Sequence, residues 1–383
     1  MSREPAKFHV LAMSQYFEPG FKAGGPIRSV ARIVDTIPQE VKLTLVTSDR
    51  DLGDPAPYSG LSGARIQRGP ATVHYVDAAN RRQRQVLADR LREGNFDLLY
   101  VNSLFNPRFS IMPVLAARTG GITASKILIA PRGELSQGAL SLKSGKKAAF
   151  LKIWLRFLHG LDVTWHATSQ LEAADIRSVW PNSRIEVCHD QGDLPSECLC
   201  AIRPQDTPRL LFLSRISRMK NLDLALTALQ GIDCRVELDI YGPVEDEPYW
   251  RRCQDIIATL PPAVRATYRG ALPYTAVRST MAGYDALVLP TLGENFGHVI
   301  AESLSASCPV ICSDQTSWTQ VLQGGGGAVA KLTIESFRKA VENTVNATVD
   351  QRWEAKRAAG AAYMRWKSKA DSRNIIAHVL GLA

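Results

Sequence analysis

The chain has 383 residues, 45% hydrophobic and 22% charged, with a formal net charge of +9. At ~150 residues per domain that suggests two domains with ample core, and no run approaches the ~18 apolar residues of a membrane span. The opening Met1-Ser2-Arg3-Glu4-Pro5-Ala6-Lys7 lacks a signal-peptide core, and the seven cysteines show no zinc spacing, so inert thiols in a reducing cytoplasm are expected.

The predicted elements alternate. Phe8–Met13 reads as a first strand. A loop through Gly24-Gly25-Pro26 leads to Ile27, Val30, Ala31, Ile33, Val34 and Ile37 at helical spacing, with Pro26 at the favoured first position. A strand, a Gly-Gly loop and a helix make either an anion site or simply a turn. Further strands are predicted at Leu43–Thr47, Val73–Val76, Leu98–Val101 and Lys126–Ala130, and Val163–Ser169 reads as a strand and turn. Gly53–Gly69 reads as a loop with a hairpin, and Gln83–Arg92 as a charged surface helix. Asp49-Arg50-Asp51 follows the second strand and Pro131-Arg132-Gly133-Glu134 the fifth; Arg132 and Glu134 either face a cleft or brace their loop.

Lys143–His159 interleaves Lys143, Lys146, Lys147, Lys152 and Arg156 with Phe150, Trp154 and Phe157 at helical spacing. Interfacial helices have this pattern, and so do domain helices with a solvated lysine face. The three aromatics are expected on one stripe. His166 falls at a strand end, on the ligand side of the sheet, and is either an active-site residue or a satisfied core histidine.

Gly192–Pro208 lacks periodicity and reads as a linker. The alternation then restarts with strand Leu210–Leu213, a loop carrying Arg215 and Lys220, helix Leu222–Leu229, and strand Val236–Ile240 ending at Tyr241-Gly242-Pro243. Helix Tyr249–Leu260, a short strand Tyr268–Pro273, a helix around Tyr274–Ala282 and strand Ala286–Leu289 follow. Next comes Pro290-Thr291-Leu292-Gly293-Glu294-Asn295-Phe296-Gly297-His298-Val299-Ile300-Ala301-Glu302. Glu294 falls in a strand-to-helix loop and Glu302 in the first helical turns. Gly293 and Gly297 let backbone approach a ligand, and the helix start offers N–H groups to an anion at the carboxyl end of the strands. Val310–Ser313 is another strand, Gly324–Gly327 a flexible turn, and Trp353–Leu382 a long final helix. The alternation predicts an α/β fold of two doubly wound, Rossmann-like domains.

Glu294-Asn295-Phe296-Gly297-(x4)-Glu302 resembles the spaced-glutamate signature of retaining, GT-B-fold glycosyltransferases of the glycosyltransferase 4 family. Ser214–Leu222 is similar to that family's phosphate-binding Arg and Lys segment, and the resemblance is strongest from Leu210 to Val329. It implies an acceptor-side domain over 1–195, a linker at 196–208 and a nucleotide-sugar domain over 209–365, facing each other across a cleft. A C-terminal helix, 366–383, would pack back on the first domain. The resemblance also implies that Arg215 and Lys220 stabilise the departing nucleoside diphosphate, helped by amides at Phe296-Gly297. Glu302 would hold ribose hydroxyls, and Glu294 would hold sugar hydroxyls and stabilise the anomeric carbon, with Asn295 beside it in the donor site. The base would lie against backbone near Gly242 and Leu272, and the Gly24-Gly25 loop would close over the donor phosphates or reach the acceptor.

No metal or other cofactor is expected. Asp49-Arg50-Asp51 has the metal signature of the other large glycosyltransferase fold, but the rest of the chain follows the metal-independent pattern, and the segment is read as a polar loop. Where the family often places a His-centred catalytic loop this chain has Pro131-Arg132-Gly133-Glu134, a variant that resembles polysaccharide-assembly enzymes. The candidate catalytic residues are therefore Glu294, Arg215, Lys220, His166 and Arg132. The expected activity is transfer of a hexose from a UDP- or GDP-sugar, with retention, to a saccharide or lipid-linked saccharide in surface polysaccharide assembly. The rivals are a non-catalytic nucleotide- or polyanion-binding protein of the same fold and a nucleotide-sugar epimerase. The expected location is cytoplasmic, with peripheral attachment to an anionic inner membrane face through Lys143, Lys146 and Lys147. No RNA-recognition signature accompanies the basic charge, so nucleic acid is not an expected partner.

Overall fold

The computed structural model describes residues 6–141, 144–189, 194–370 and 373–382, with backbone alone for 144, 146–148 and 155. The chain forms two compact units, Met1–Asp193 with Asp371–Ala383, and Leu194–Ala370.

In the first unit the order is β1 (Phe8–Met13), α1 (Gly25–Asp35), β2 (Val41–Ser48), β3 (Arg65–Arg68), β4 (Ala71–Val76), α2 (Arg81–Arg92), β5 (Asn95–Asn102), α3 (Met112–Arg118), β6 (Thr123–Ala130), α4 (Gln137–Ser141), α5 (Ser144–Leu158), β7 (Val163–Ala167), α6 (Gln170–Val179) and β8 (Arg184–Val187). The sheet runs β3-β4-β2-β1-β5-β6-β7-β8, parallel except for the β3–β4 pair. Leu98, Leu99, Tyr100 and Val101 of β5 are each 0–1% exposed. A continuous apolar run of this kind marks a strand covered on both faces.

The second unit contains β9 (Arg209–Leu213), α7 (Leu222–Leu229), β10 (Val236–Tyr241), α8 (Glu247–Ile257), β11 (Val264–Gly270), α9 (Tyr274–Ala282), β12 (Ala286–Leu289), α10 (His298–Ser305), β13 (Val310–Ser313), α11 (Thr319–Val321), β14 (Gly327–Ala330), α12 (Ile334–Val345) and α13 (Val349–Lys367). Its sheet, β11-β10-β9-β12-β13-β14, is parallel throughout. Helix α13 is anchored under the sheet by buried cations. Arg352 pairs with Asp285 at 3.1 Å, and Lys356 donates to the carbonyls of Ala282 and Tyr284 that end α9. The Arg352 Nη2 donates as well to the carbonyls of Gln205 and Asp206, and such acceptors are what make charge tolerable at that depth.

Two expectations are corrected. The final helix is not continuous over 353–382: α13 ends at Lys367, and α14 (Ile375–Val379) is a separate helix capped by Asn374. Gly324–Gly327 is not only a turn, since Gly327 opens β14, where a Cβ would lie 2.1 Å from the Val310 carbonyl oxygen. The hairpin expected at Gly53–Gly69 is present: β3 pairs antiparallel with β4, although its Arg-Ile-Gln-Arg sequence has no buried face.

Candidate functional site

The loops that follow β9, β10 and β12 lie at the carboxyl end of the second sheet. The first two continue to pair beyond their strands. Ser214 N donates to Tyr241 O at 3.1 Å, Ile216 N to Pro243 O at 2.9 Å and Glu245 N to Ile216 O at 3.2 Å. Gly242 makes this possible: at φ +136° it takes a backbone position in which a Cβ would sit 1.8 Å from Ser214 O. The third loop is tied to the first at one carbonyl, Met219 O, which accepts from Leu292 N at 2.9 Å and from Thr291 Oγ1 at 3.2 Å. Thr291 is fully buried, and its own carbonyl accepts from Ser313 Oγ at 2.6 Å.

These ties bring Lys220 against Glu294. The Nζ–Oε1 distance is 2.5 Å, and the two side chains are 12% and 9% exposed. Arg215 is more open, about one third exposed, and its Nη1 donates to both oxygens of Glu245 at 2.9 and 2.8 Å. Each cation that sequence spacing singles out thus holds a carboxylate partner. The Glu245 partnership was not foreseen, although the acidic run Glu245-Asp246-Glu247 after a strand end was visible.

Helix α10 starts at Gly297, which has φ +79° and provides no side-chain cap. The Ile300 N–H donates to Gly297 O at 2.9 Å, and the first turn as a whole carries partial positive charge. A Cβ on Gly297 would come within 3.1 Å of Trp318 and 3.2 Å of Ile300, so both the conformation and the space demand glycine. Phe296 is 3% exposed, and its carbonyl accepts from Trp318 Nε1 at 2.5 Å. Trp318 packs on Trp366 with ring centroids 4.6 Å apart, and Phe296 lies 5.9 Å from Trp366. This aromatic block, unforeseen from sequence, clamps the signature loop from beneath. Glu302 is buried in α10, Asn295 is half-buried, and Leu272 is half-buried just beyond β11. Tyr268 Oη donates to Gly242 O at 2.9 Å.

In the first unit, Gly24 adopts φ +72° before α1, with Gly25 as the helix's first residue. Asp51 holds the preceding loop: Oδ2 accepts from Phe21 N at 2.7 Å and Lys22 N at 3.0 Å, and Oδ1 from Leu52 N at 2.8 Å. Asp49 is fully buried and pairs with Arg50. Both carboxylates of the Asp-x-Asp segment thus serve their own backbone and neighbours. Arg132, at φ +56°, turns toward β5, donating from Nε to Asn102 Oδ1 at 2.6 Å and from Nη2 to Tyr100 Oη at 2.7 Å. Glu134 braces the chain after β5, accepting from Leu104 N at 2.6 Å, Phe105 N at 3.1 Å and Ser103 Oγ at 2.9 Å.

His166 occupies a core position. It is 3% exposed, its Nε2 lies 3.0 Å from Cys188 O, and burial together with nearby Arg132 pushes its pKa down to about 3. It is neutral at physiological pH. Beside it Glu172, fully buried, accepts from Thr168 and Gly133 N–H groups; burial pushes its pKa up while those donors pull it back.

Lys143 lies outside the described residues, as do the side chains of Lys146 and Lys147. On the rest of α5 the expected single aromatic stripe divides. Trp154 is 3% exposed, whereas Phe157 is 43% and Ile153 58% exposed, beside exposed Lys152 and Arg156. A three-residue step rotates ~60° around a helix, which carries Phe157 off the buried face.

Two parallel-sheet, Rossmann-like units, the second with cationic and glycine-rich loops at its strand ends, define the GT-B glycosyltransferase fold. Residues 202–359 of the second unit match the family model for glycosyl transferases group 1. A phosphatidyl-myo-inositol mannosyltransferase of Mycolicibacterium smegmatis is 26% identical over 278 residues, which cover 71% of this chain and 64% of that protein. The chain therefore spans just under two thirds of that relative's length. Anabaena HepE, solved in complex with UDP and glucose, superposes with a TM-score of 0.71 at 14% identity, covering 98% of this chain and 100% of the other. Sucrose-phosphate synthase from Thermosynechococcus elongatus gives 0.71 at 16%, covering 98% and 97%. At those identities the likeness is one of fold.

Proposed function

We propose that the protein is a retaining glycosyltransferase of the glycosyltransferase 4 type, moving a hexose from a UDP- or GDP-sugar to a saccharide or lipid-linked saccharide in surface polysaccharide assembly. The observation that carries this reading is the Lys220–Glu294 pair, set at 2.5 Å between two interlocked loops beside the uncapped start of α10. Breaking the anomeric bond places negative charge on a leaving diphosphate. A fixed ammonium, the Arg215 guanidinium and first-turn amides aimed at that charge stabilise the transition state, commonly the largest catalytic contribution. Glu294, next to Lys220, is placed to hold sugar hydroxyls and to face the positive anomeric carbon, and Glu302 is assigned to the ribose. The cations supply the charge a divalent ion would otherwise bring, so the reaction is proposed to need no metal. The relative's name, a mannosyltransferase of a phosphoinositide lipid, and a structural neighbour solved with UDP and glucose support a nucleotide-linked hexose and a lipid-linked acceptor.

Among the described residues no helix is long and apolar enough to cross a membrane. We place the enzyme in the cytoplasm, held peripherally at the inner membrane face by the exposed Ile153–Phe157 edge of α5 with Lys152 and Arg156. Anionic lipid is the chosen occupant because the apolar pair is flanked by cations. A screen of UDP- and GDP-sugars for slow hydrolysis, with thermal shift by UDP and GDP, tests the activity. Stabilisation by one nucleotide and release of its sugar are expected; neither nucleotide shifting the melting temperature would reject the reading.

A further inference from the structure

Arg215 has a partner that the proposed chemistry does not use. Its Nη1 alone donates to both Glu245 oxygens, at 2.9 and 2.8 Å, while Nε and Nη2 make no hydrogen bond among the described residues. Glu245 is held in turn, since its own N–H donates to Ile216 O and the neighbouring Val244 forms a parallel bridge with Ile216. Arg218 and Asp246, 3.4 Å apart, repeat the same cross-loop pairing a little further along. Carboxylate and guanidinium therefore stand on two loops that are already fastened to each other.

We infer that Glu245 is a positioning residue that fixes Arg215 by one nitrogen and leaves its Nε–Nη2 edge for an oxygen of the donor diphosphate. The inference rests on the proposed nucleotide-sugar reading of this site. A long side chain captured by a ligand loses rotamer freedom, and one already held by a neighbour loses less. The geometry suits this role, because a planar guanidinium offers two separate edges and the carboxylate occupies one nitrogen of it. The opposite role, in which Glu245 occupies the place of the anion and must be displaced, makes the opposite prediction for its removal.

The experiment is calorimetric titration of UDP and of GDP into the full chain, as wild type and as E245A, E245Q, R215A and the double variant E245A/R215A, with thermal melting of each unliganded variant as the folding check. E245A is expected to weaken binding about five- to tenfold. E245Q keeps an oxygen acceptor for Nη1 and is expected to stay within about twofold of wild type. The double variant is expected to bind no more weakly than R215A, because Glu245 acts through Arg215. Binding by E245A equal to or tighter than wild type overturns the inference, and so does a further loss when E245A is added to R215A. Those results leave the donor reading standing so long as wild type binds a nucleotide. Failure of wild type to bind either nucleotide overturns the donor reading and this inference with it.

Discussion

Replacing Lys220 tests the core of the site. Lys220 and Glu294 are 12% and 9% exposed, so Lys220→Met leaves a carboxylate largely out of water without its cation. Breaking a buried pair on one side costs ~3 kcal/mol, and the second unit should unfold at lower denaturant than in wild type. The catalytic effect is separate. Loss of one donor aimed at developing charge costs ~2–4 kcal/mol of transition-state stabilisation, a drop of roughly 30- to 1000-fold in kcat for donor hydrolysis. The double variant K220M/E294Q separates the two effects. Neutralising Glu294 as well should recover most of the lost stability and none of the activity, giving a large coupling in the denaturation cycle. Single-turnover hydrolysis and urea unfolding supply both readings. Wild-type kcat in K220M, or stability losses that simply add in the double variant, would refute the argument.

Gly297→Ala should cost about 1–3 kcal/mol, from the φ of +79° and the contacts with Trp318 and Ile300, read as a lowered Tm together with weaker nucleotide binding. Asp51→Ala removes the acceptor of three backbone N–H groups and should destabilise the first unit by about 1–3 kcal/mol in urea titration. EDTA should leave turnover intact; loss on chelation, restored by Mn²⁺ or Mg²⁺, would assign Asp49 and Asp51 to a metal. His166 titrates near 6.5 when unfolded and at about 3 when folded, so below pH 6.5 the unfolded state binds the extra proton and stability falls as pH drops toward 3. Between pH 7.5 and 5.5 wild type should lose about 1 kcal/mol through this group, and His166→Asn should flatten that part of the profile.

What local pattern governs was legible in the sequence. Leu210-Leu211-Phe212 and Ala286–Leu289 are unbroken apolar runs, and both are inner strands of the second sheet. Glu294 lies in the loop that follows the second of these runs, while Lys220 stands out only through the resemblance of Ser214–Leu222 to a family's Arg and Lys segment. Partner choice was not legible. Arg215 meets Glu245 thirty positions away, and Arg132 meets Tyr100 and Asn102 across two strands; these pairings come from register, which no short spacing encodes. His166 was placed at the end of its strand, but sequence alone does not show that Cys188, just past the edge strand β8, supplies its acceptor. Arg65–Arg68 joins the sheet through backbone pairing and through polar contacts of Gln67 and Arg68, with no apolar alternation to betray it.

The first unit is completed by residues far along the chain. Ile375 and Ile376 are 2% and 0% exposed in its core, Asn374 donates to Ile33 O and Thr36 Oγ1 at 2.9 Å, and Cys188 Sγ donates to Arg373 O at 3.2 Å. On the ribosome these closing residues emerge only after all of 194–370 has been made. The second unit, continuous in sequence, can condense while the chain is still being translated. The first must wait with part of its apolar surface uncovered, and during that interval it is the segment most exposed to chaperones and to aggregation.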